Sequence, residues 1–170
     1  MSVKIIDIYT DGSYSPNNPG ETYGAFIVPE FEGISGVYVS TLDDVTSSRN
    51  IGGELLGAIK AVEFGCEVAK NLSKDDLLIV HLIYDYEGVG KWLDGQWTAK
   101  KNITKGYKSY IQELIDKAGN VSLKLDWVKG HDDNAGNNKV DALVQTARVN
   151  KTAENMDSLM SQIMERGQRL

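Results

Sequence analysis

The sequence predicts a single α/β domain, and three observations carry that expectation. Runs rich in β-branched and aromatic residues alternate along the chain with stretches whose apolar residues fall at helical spacing. The most apolar run, residues 77–83 (LLIVHLI), has no polar alternation, as expected of a central strand covered on both faces. A length of 170 residues with 41% hydrophobic and 25% charged side chains suits one core and leaves little room for a second.

The elements follow in order. Residues 3–10 (VKIIDIYT) read as a first strand that ends at Asp11-Gly12, with a Pro/Asn/Gly loop at 15–20 after it. Residues 23–28 and 33–39, separated by Pro29-Glu30-Phe31-Glu32, read as two short strands of a hairpin or meander. From Glu54 to about Ala69, the residues Leu55, Ala58, Ile59, Val62, Cys66 and Ala69 form one buried stripe of a helix that begins at Gly52-Gly53. His81, inside the central strand, is expected to be a hydrogen-bonded core residue. A short helix at 87–94, a longer one at 105–117 and an alternating strand at 121–128 come next. A helix at 139–149 carries Val140, Leu143, Val144 and Ala147. A last segment from Thr152 to about Met164 places Met156, Leu159, Met160, Ile163 and Met164 on one side.

No repeat or linker interrupts residues 1–149, so they read as one domain with 150–170 as a helical extension. The extension's apolar stripe needs cover, from the domain itself, a second copy or a protein partner. No run approaches the roughly 18–20 apolar residues that cross a bilayer, so no membrane contact is expected and the location is taken as cytoplasmic. Cys66 is the only cysteine, which excludes an internal disulfide and a thiolate metal cluster.

The net charge of −6 is unlike that of a typical nucleic-acid binder. Its distribution matters more, because Lys100, Lys101, Lys105 and Lys108 stand between Thr98 and Tyr110 with no acidic residue among them. Such a run is a phosphate track only if a site lies beside it.

Four acidic residues fall at strand ends and helix starts, where packing gives them little to do. Asp11 ends the first strand and Asp85 follows the central one, so if the two strands are neighbours both carboxylates face one crevice. Glu54 opens the first long helix, and Asp141 lies early in a later one. Taken singly, the latter two could be helix-dipole compensation. Carboxylates brought within a few ångströms of each other repel strongly, and are protonated or bind cations. Hard oxygen donors select Mg²⁺ or Mn²⁺, and two such ions roughly 4 Å apart suit phosphodiester hydrolysis.

At these residues the chain resembles type 1 ribonuclease H, within the ribonuclease H-like superfamily. The resemblance runs through Tyr9-Thr10-Asp11-Gly12-Ser13, Asn18-Pro19-Gly20, Tyr23-Gly24-Ala25, 50–56 (NIGGELL), 83–89 (IYDYEGV) and 127–141 (WVKGHDDNAGNNKVD). It implies a ribonuclease H-like fold, with a five-stranded mixed sheet in the order 3-2-1-4-5 and helices on both faces. The activity it implies is endonucleolytic hydrolysis of the RNA strand of an RNA–DNA hybrid by a two-metal-ion mechanism, leaving 5′-phosphate and 3′-hydroxyl ends. Asp11, Glu54, Asp85 and Asp141 would hold two Mg²⁺ ions, with Mn²⁺ as a substitute, and His131 would assist proton transfer or product release. Gly12, Ser13, Asn18, Asn50 and Asn137 would contact substrate beside the carboxylates, with Trp97, Lys100 and Lys101 as a shortened substrate-handling segment.

Asp132 and Asp133 depart from the small residues usual after that histidine, and make its role less secure than that of the carboxylates. Two rival readings share the fold: a catalytically weak hybrid-binding protein, and a related metal nuclease acting on DNA.

Overall fold

The computed structural model describes residues 2–130 and 134–170. The chain runs β1 (Val3–Ser15), β2 (Glu21–Ile27), β3 (Ser35–Ser40), α1 (Asp43–Thr46), α2 (Asn50–Lys70) and β4 (Leu77–Tyr84). It continues through α3 (Gly88–Asp94), α4 (Asn102–Ala118), β5 (Val121–Trp127), α5 (Ala135–Asn150), β6 (Glu154–Asn155) and α6 (Asp157–Gln168). The sheet order is β5-β4-β1-β2-β3-β6. Its first five strands reproduce the expected order and mixed directions: β1 pairs antiparallel with β2 and parallel with β4, and β4 parallel with β5.

Two layers of side chains hold the sheet. On one face Ile6, Ile8, Leu78, Val80 and Leu82 meet α2 and α4 in the main core, with Leu55, Ile59, Val62, Tyr107 and Ile111 fully or almost fully buried. On the other face α5 sets Val140 and Val144 against Tyr23, Ala25 and Val39. His81 stands in β4 with Nδ1 2.9 Å from Asp7 Oδ1 and Nε2 3.0 Å from Asp126 Oδ2. The expected hydrogen-bonded residue is therefore present, although it is half-buried at a seam of three strands.

Helices α4 and α5 begin at Asn102 and Ala135, earlier than the expected 105 and 139, and three further expectations change. The first strand does not end at Asp11-Gly12: β1 continues to Ser15 because its second half exchanges partners, with Asp11 opposite Ala25 and Gly12 opposite Gly24. The first long helix starts at Asn50, so Gly52 and Gly53 lie inside its opening turns. Glycine normally weakens a helix. Here it permits contact, because a Cβ on Gly53 would collide with the Tyr23 carbonyl and one on Gly12 with the Glu54 backbone nitrogen. Helix and sheet therefore meet backbone to backbone.

The third change is in the extension, which is not purely helical. Glu154 and Asn155 form a sixth strand, parallel to Tyr38 and Val39 of β3, before α6 begins. The Asp157 carboxylate then accepts from Ser40 Oγ (2.8 Å), Thr41 N (2.8 Å), Thr41 Oγ1 (2.7 Å) and Asn155 Nδ2 (3.2 Å). Burial pushes that carboxyl up, but the bonds from Thr41, Ser40 and Asn155 outweigh it and hold the group below its ordinary value. The apolar stripe packs on the domain's own core, with Met160 and Ile163 buried. Among the described residues no helix is long and apolar enough to cross a membrane.

Candidate active site

Parallel pairing between β1 and β4 stops near Tyr9 and Ile83, and β4 ends at Tyr84, one residue before Asp85. Beyond that point β1 runs on without its parallel neighbour, and Asp11 and Asp85 sit at the resulting gap. Helix α2 brings Glu54 to the same place, because Gly12 and Gly53 let its first turns sink onto the sheet. Asp11, Glu54 and Asp85 each offer an oxygen within 4.8 Å of the others. Asp141, on α5, lines the same cavity of about 230 Å³. It stands outside the group of three that share the 4.8 Å limit, and its carboxyl acts on that of Asp11.

The electrostatics are those of crowded acids, two of them buried. Asp11 and Glu54 are each 3% exposed. Burial, then the charge of Asp85, then the bond to Asp141 push the Asp11 carboxyl up to about 8, although Glu54 and the Gly12 amide pull the other way. Burial and the charges of Asp11 and Asp85 raise Glu54 well above the ordinary range. Gly12 N donates to Asp11 Oδ1 at 2.9 Å. Among the described residues, no N–H or O–H donor reaches Asp11 Oδ2 or Glu54 Oε2, so their near neighbours are other carboxyls. Buried polar oxygens are normally satisfied, and unpaired buried charge costs several kcal/mol, about 3–5. A divalent cation satisfies such a set of hard oxygen donors, and the residues present fit one.

The expected substrate contacts divide. Gly12, Asn50 and Asn137 line the carboxylate cavity. Asn137 is 3% exposed, and its Oδ1 has no hydrogen-bond partner among the described residues. Ser13 is adjacent, but its hydroxyl donates to Gln145 Oε1 at 3.3 Å. Asn18 lies in an exposed loop before a cis Pro19 and is not part of the cavity wall.

Lys100 and Lys101 border a separate hollow of about 370 Å³ with Arg49, Trp92 and Thr98. Trp97 packs edge-on against Trp92 at 5.4 Å and Tyr86 at 6.3 Å, with Lys91 Nζ 5.5 Å from its ring centre. His131 lies outside the described residues, as do Asp132 and Asp133.

Two further residues enter the cavity that the sequence reading did not name, Asn138 and Gln145. Gln145 stands four residues after Asp141 on α5, the spacing that puts two side chains on one helix face. That signal was available. A larger, mostly apolar hollow of about 620 Å³ lies along α2 and α4 around Phe26, Phe64 and Leu114. The carboxylate cavity is smaller, but it is where the titratable groups converge, and chemistry outweighs volume in locating the site.

Comparison with known proteins agrees with this arrangement. The family model for RNase H matches residues 4–149. The chain is 31% identical over 160 residues to Ribonuclease H of Escherichia coli O139:H28 (strain E24377A / ETEC), covering 89% of this chain and 94% of that protein. The same figures hold for Ribonuclease H of Shigella boydii serotype 18 (strain CDC 3083-94 / BS512). Among solved structures, RNase H1 from the halophilic archaeon Halobacterium salinarum NRC-1 superposes with a TM-score of 0.64 at 20% identity, covering 86% of this chain and 98% of that one. That likeness speaks for the fold.

Proposed function

The chain belongs to the RNase H family, and from that premise we propose that it is an endonuclease that hydrolyses the RNA strand of RNA–DNA hybrids with two divalent ions, Mg²⁺ by preference. One observation carries the reading: Asp11, Glu54 and Asp85 converge within 4.8 Å in a cavity that Asp141 also lines.

Asp11, Glu54, Asp85 and Asp141 would hold the ions. When bound, two such ions supply an activated water and stabilise the departing oxygen, which fits products with 5′-phosphate and 3′-hydroxyl ends. The protein's own share is placement. Gly12 N donates to one Asp11 oxygen, and the other has no hydrogen-bond partner among the described residues. Asn134 Oδ1 caps α5 by accepting from Asn137 N at 2.9 Å, which steadies the turn that presents Asn137 and Asp141. The amides of Asn50 and Asn137 and the glycine backbone at Gly12 supply uncharged hydrogen-bonding groups beside the carboxylates, suited to ribose hydroxyls and phosphate oxygens. In this reading His131 assists proton transfer or product release, and the enzyme works in the cytoplasm.

The test is cleavage of a strand-labelled hybrid. The expected result is Mg²⁺-dependent cutting of the RNA strand alone, lost in Asp11→Asn. Equal cutting after the ribonucleotides are replaced by deoxyribonucleotides would instead show a DNA nuclease. Metal-dependent hybrid binding without cutting would show a binding protein.

A further inference from the structure

Trp127 ends β5, the edge strand of the sheet, and its side chain is 51% exposed. An indole left half in solvent adds little to a core, yet the polar edge of this one is committed. Its Nε1 donates to the Asp85 carbonyl at 2.9 Å. The neighbouring backbone makes a second tie, since Trp127 pairs with Tyr84 in the ladder and Val128 N donates to the Tyr84 carbonyl at 2.8 Å. The end of β5 therefore holds the carbonyls of two successive residues, Tyr84 and Asp85. Two residues further on the chain reaches the acid itself, because a Cβ on Gly130 would lie 3.4 Å from Asp85 Oδ2.

The three converging carboxylates are not held alike. Asp11 stands within β1 and Glu54 within α2, and both are buried. Asp85 is only partly buried, and it lies on residues 85–87, the connection between the end of β4 and the start of α3. Regular pairing and packing fix the first two ligands, whereas the third depends on what restrains its peptide unit. A divalent ion tolerates little error in the position of its donors, and groups that orient the ligands govern how well it is bound.

We propose that Trp127 is a positioning residue for the metal site: its indole N–H anchors the Asp85 peptide unit so that the carboxylate meets those of Asp11 and Glu54. Trp127 does not line the carboxylate cavity and acts through Asp85. The proposal rests on the metal-binding reading above and extends it to a side chain outside the cavity wall.

The experiment removes the N–H while keeping an aromatic ring, in Trp127→Phe and in a protein with benzothienylalanine at position 127, an isostere that carries sulfur in place of the N–H. Three quantities are measured: Mg²⁺ affinity by calorimetry without substrate, the melting temperature in chelator, and kcat and KM on a hybrid. Both proteins are expected to bind Mg²⁺ about tenfold more weakly. Cleavage at limiting Mg²⁺ should fall through kcat with KM for the hybrid unchanged, and the melting temperature in chelator should stay within about 2 °C of the parent's for the isostere. Undiminished Mg²⁺ affinity in the isostere would overturn the proposal. So would a weakened affinity accompanied by a lower melting temperature in chelator, which would make Trp127 a structural residue. Failure of the unsubstituted chain to bind Mg²⁺ would instead overturn the metal-binding reading.

Discussion

At the scale of single residues, the account turns on Asp11 and Glu54, two carboxyls held where ionisation is expensive. Burial and the neighbouring acids raise Asp11 to about 8, whereas in an unfolded chain it titrates near its ordinary value of about 4. A raised folded-state value means that the native protein keeps its proton while the unfolded chain has lost it. Stability is therefore fully present below the ordinary value and is lost as pH rises through the folded one. Without metal, melts in a chelator should show the chain losing stability between about pH 4 and pH 8, and Asp11→Asn should melt several degrees higher at the alkaline end. The gap should close toward pH 4. A gap independent of pH would mean that Asp11 is not the strained group. Asp11, Glu54 and Asp85 were legible in the sequence because an acid at a strand end or helix start has no packing task. Gln145 was overlooked because an amide on a helix face carries no such contradiction until its neighbours are known.

At the scale of elements, the long central strand and the glycine-bearing helix explain how the site is assembled. β1 serves β4 with its first half and β2 with its second, and the change of partner creates the gap in which Asp11 stands. Local pattern could not show this, since Asp11-Gly12 carries the usual signature of a turn and only the pairing with Ala25 and Gly24 keeps the strand going. Likewise Gly52-Gly53 looks like a helix boundary, and only the closeness of Tyr23 shows why glycine sits inside α2.

The extension was half legible. Its stripe of Met160 and Ile163 announced a helix needing cover, whereas a strand of two residues such as β6 leaves no periodicity to read. Its anchor is Asp157, held below its ordinary value by donors on β3 and the following loop. Asp157→Ala should cost about 2 kcal/mol and lower the melting temperature at neutral pH. Because the folded value is depressed, the stabilisation is present above the ordinary carboxyl range and lost as pH falls through the folded value, so the difference should shrink in acid. A variant as stable as the parent at neutral pH would show that these bonds do not hold α6 in place.

For the whole molecule, an acidic chain acting on a polyanion poses an electrostatic problem, and the structure separates its parts. The carboxylates that repel phosphate are gathered in one cavity, where divalent cations in the proposed reading would reverse their sign, while Lys100 and Lys101 border a separate hollow and Lys105 and Lys108 a groove beyond it. The central claim is that the shared negative charge of that cavity is balanced by divalent ions. Calorimetric titration of Mg²⁺ into the protein near pH 7.5 tests it most directly. The account expects saturable binding with release of protons from the raised carboxyls, weakened at least tenfold in Asp11→Asn and in Glu54→Gln. Binding that is undiminished by both substitutions, or no binding at millimolar Mg²⁺, would contradict it.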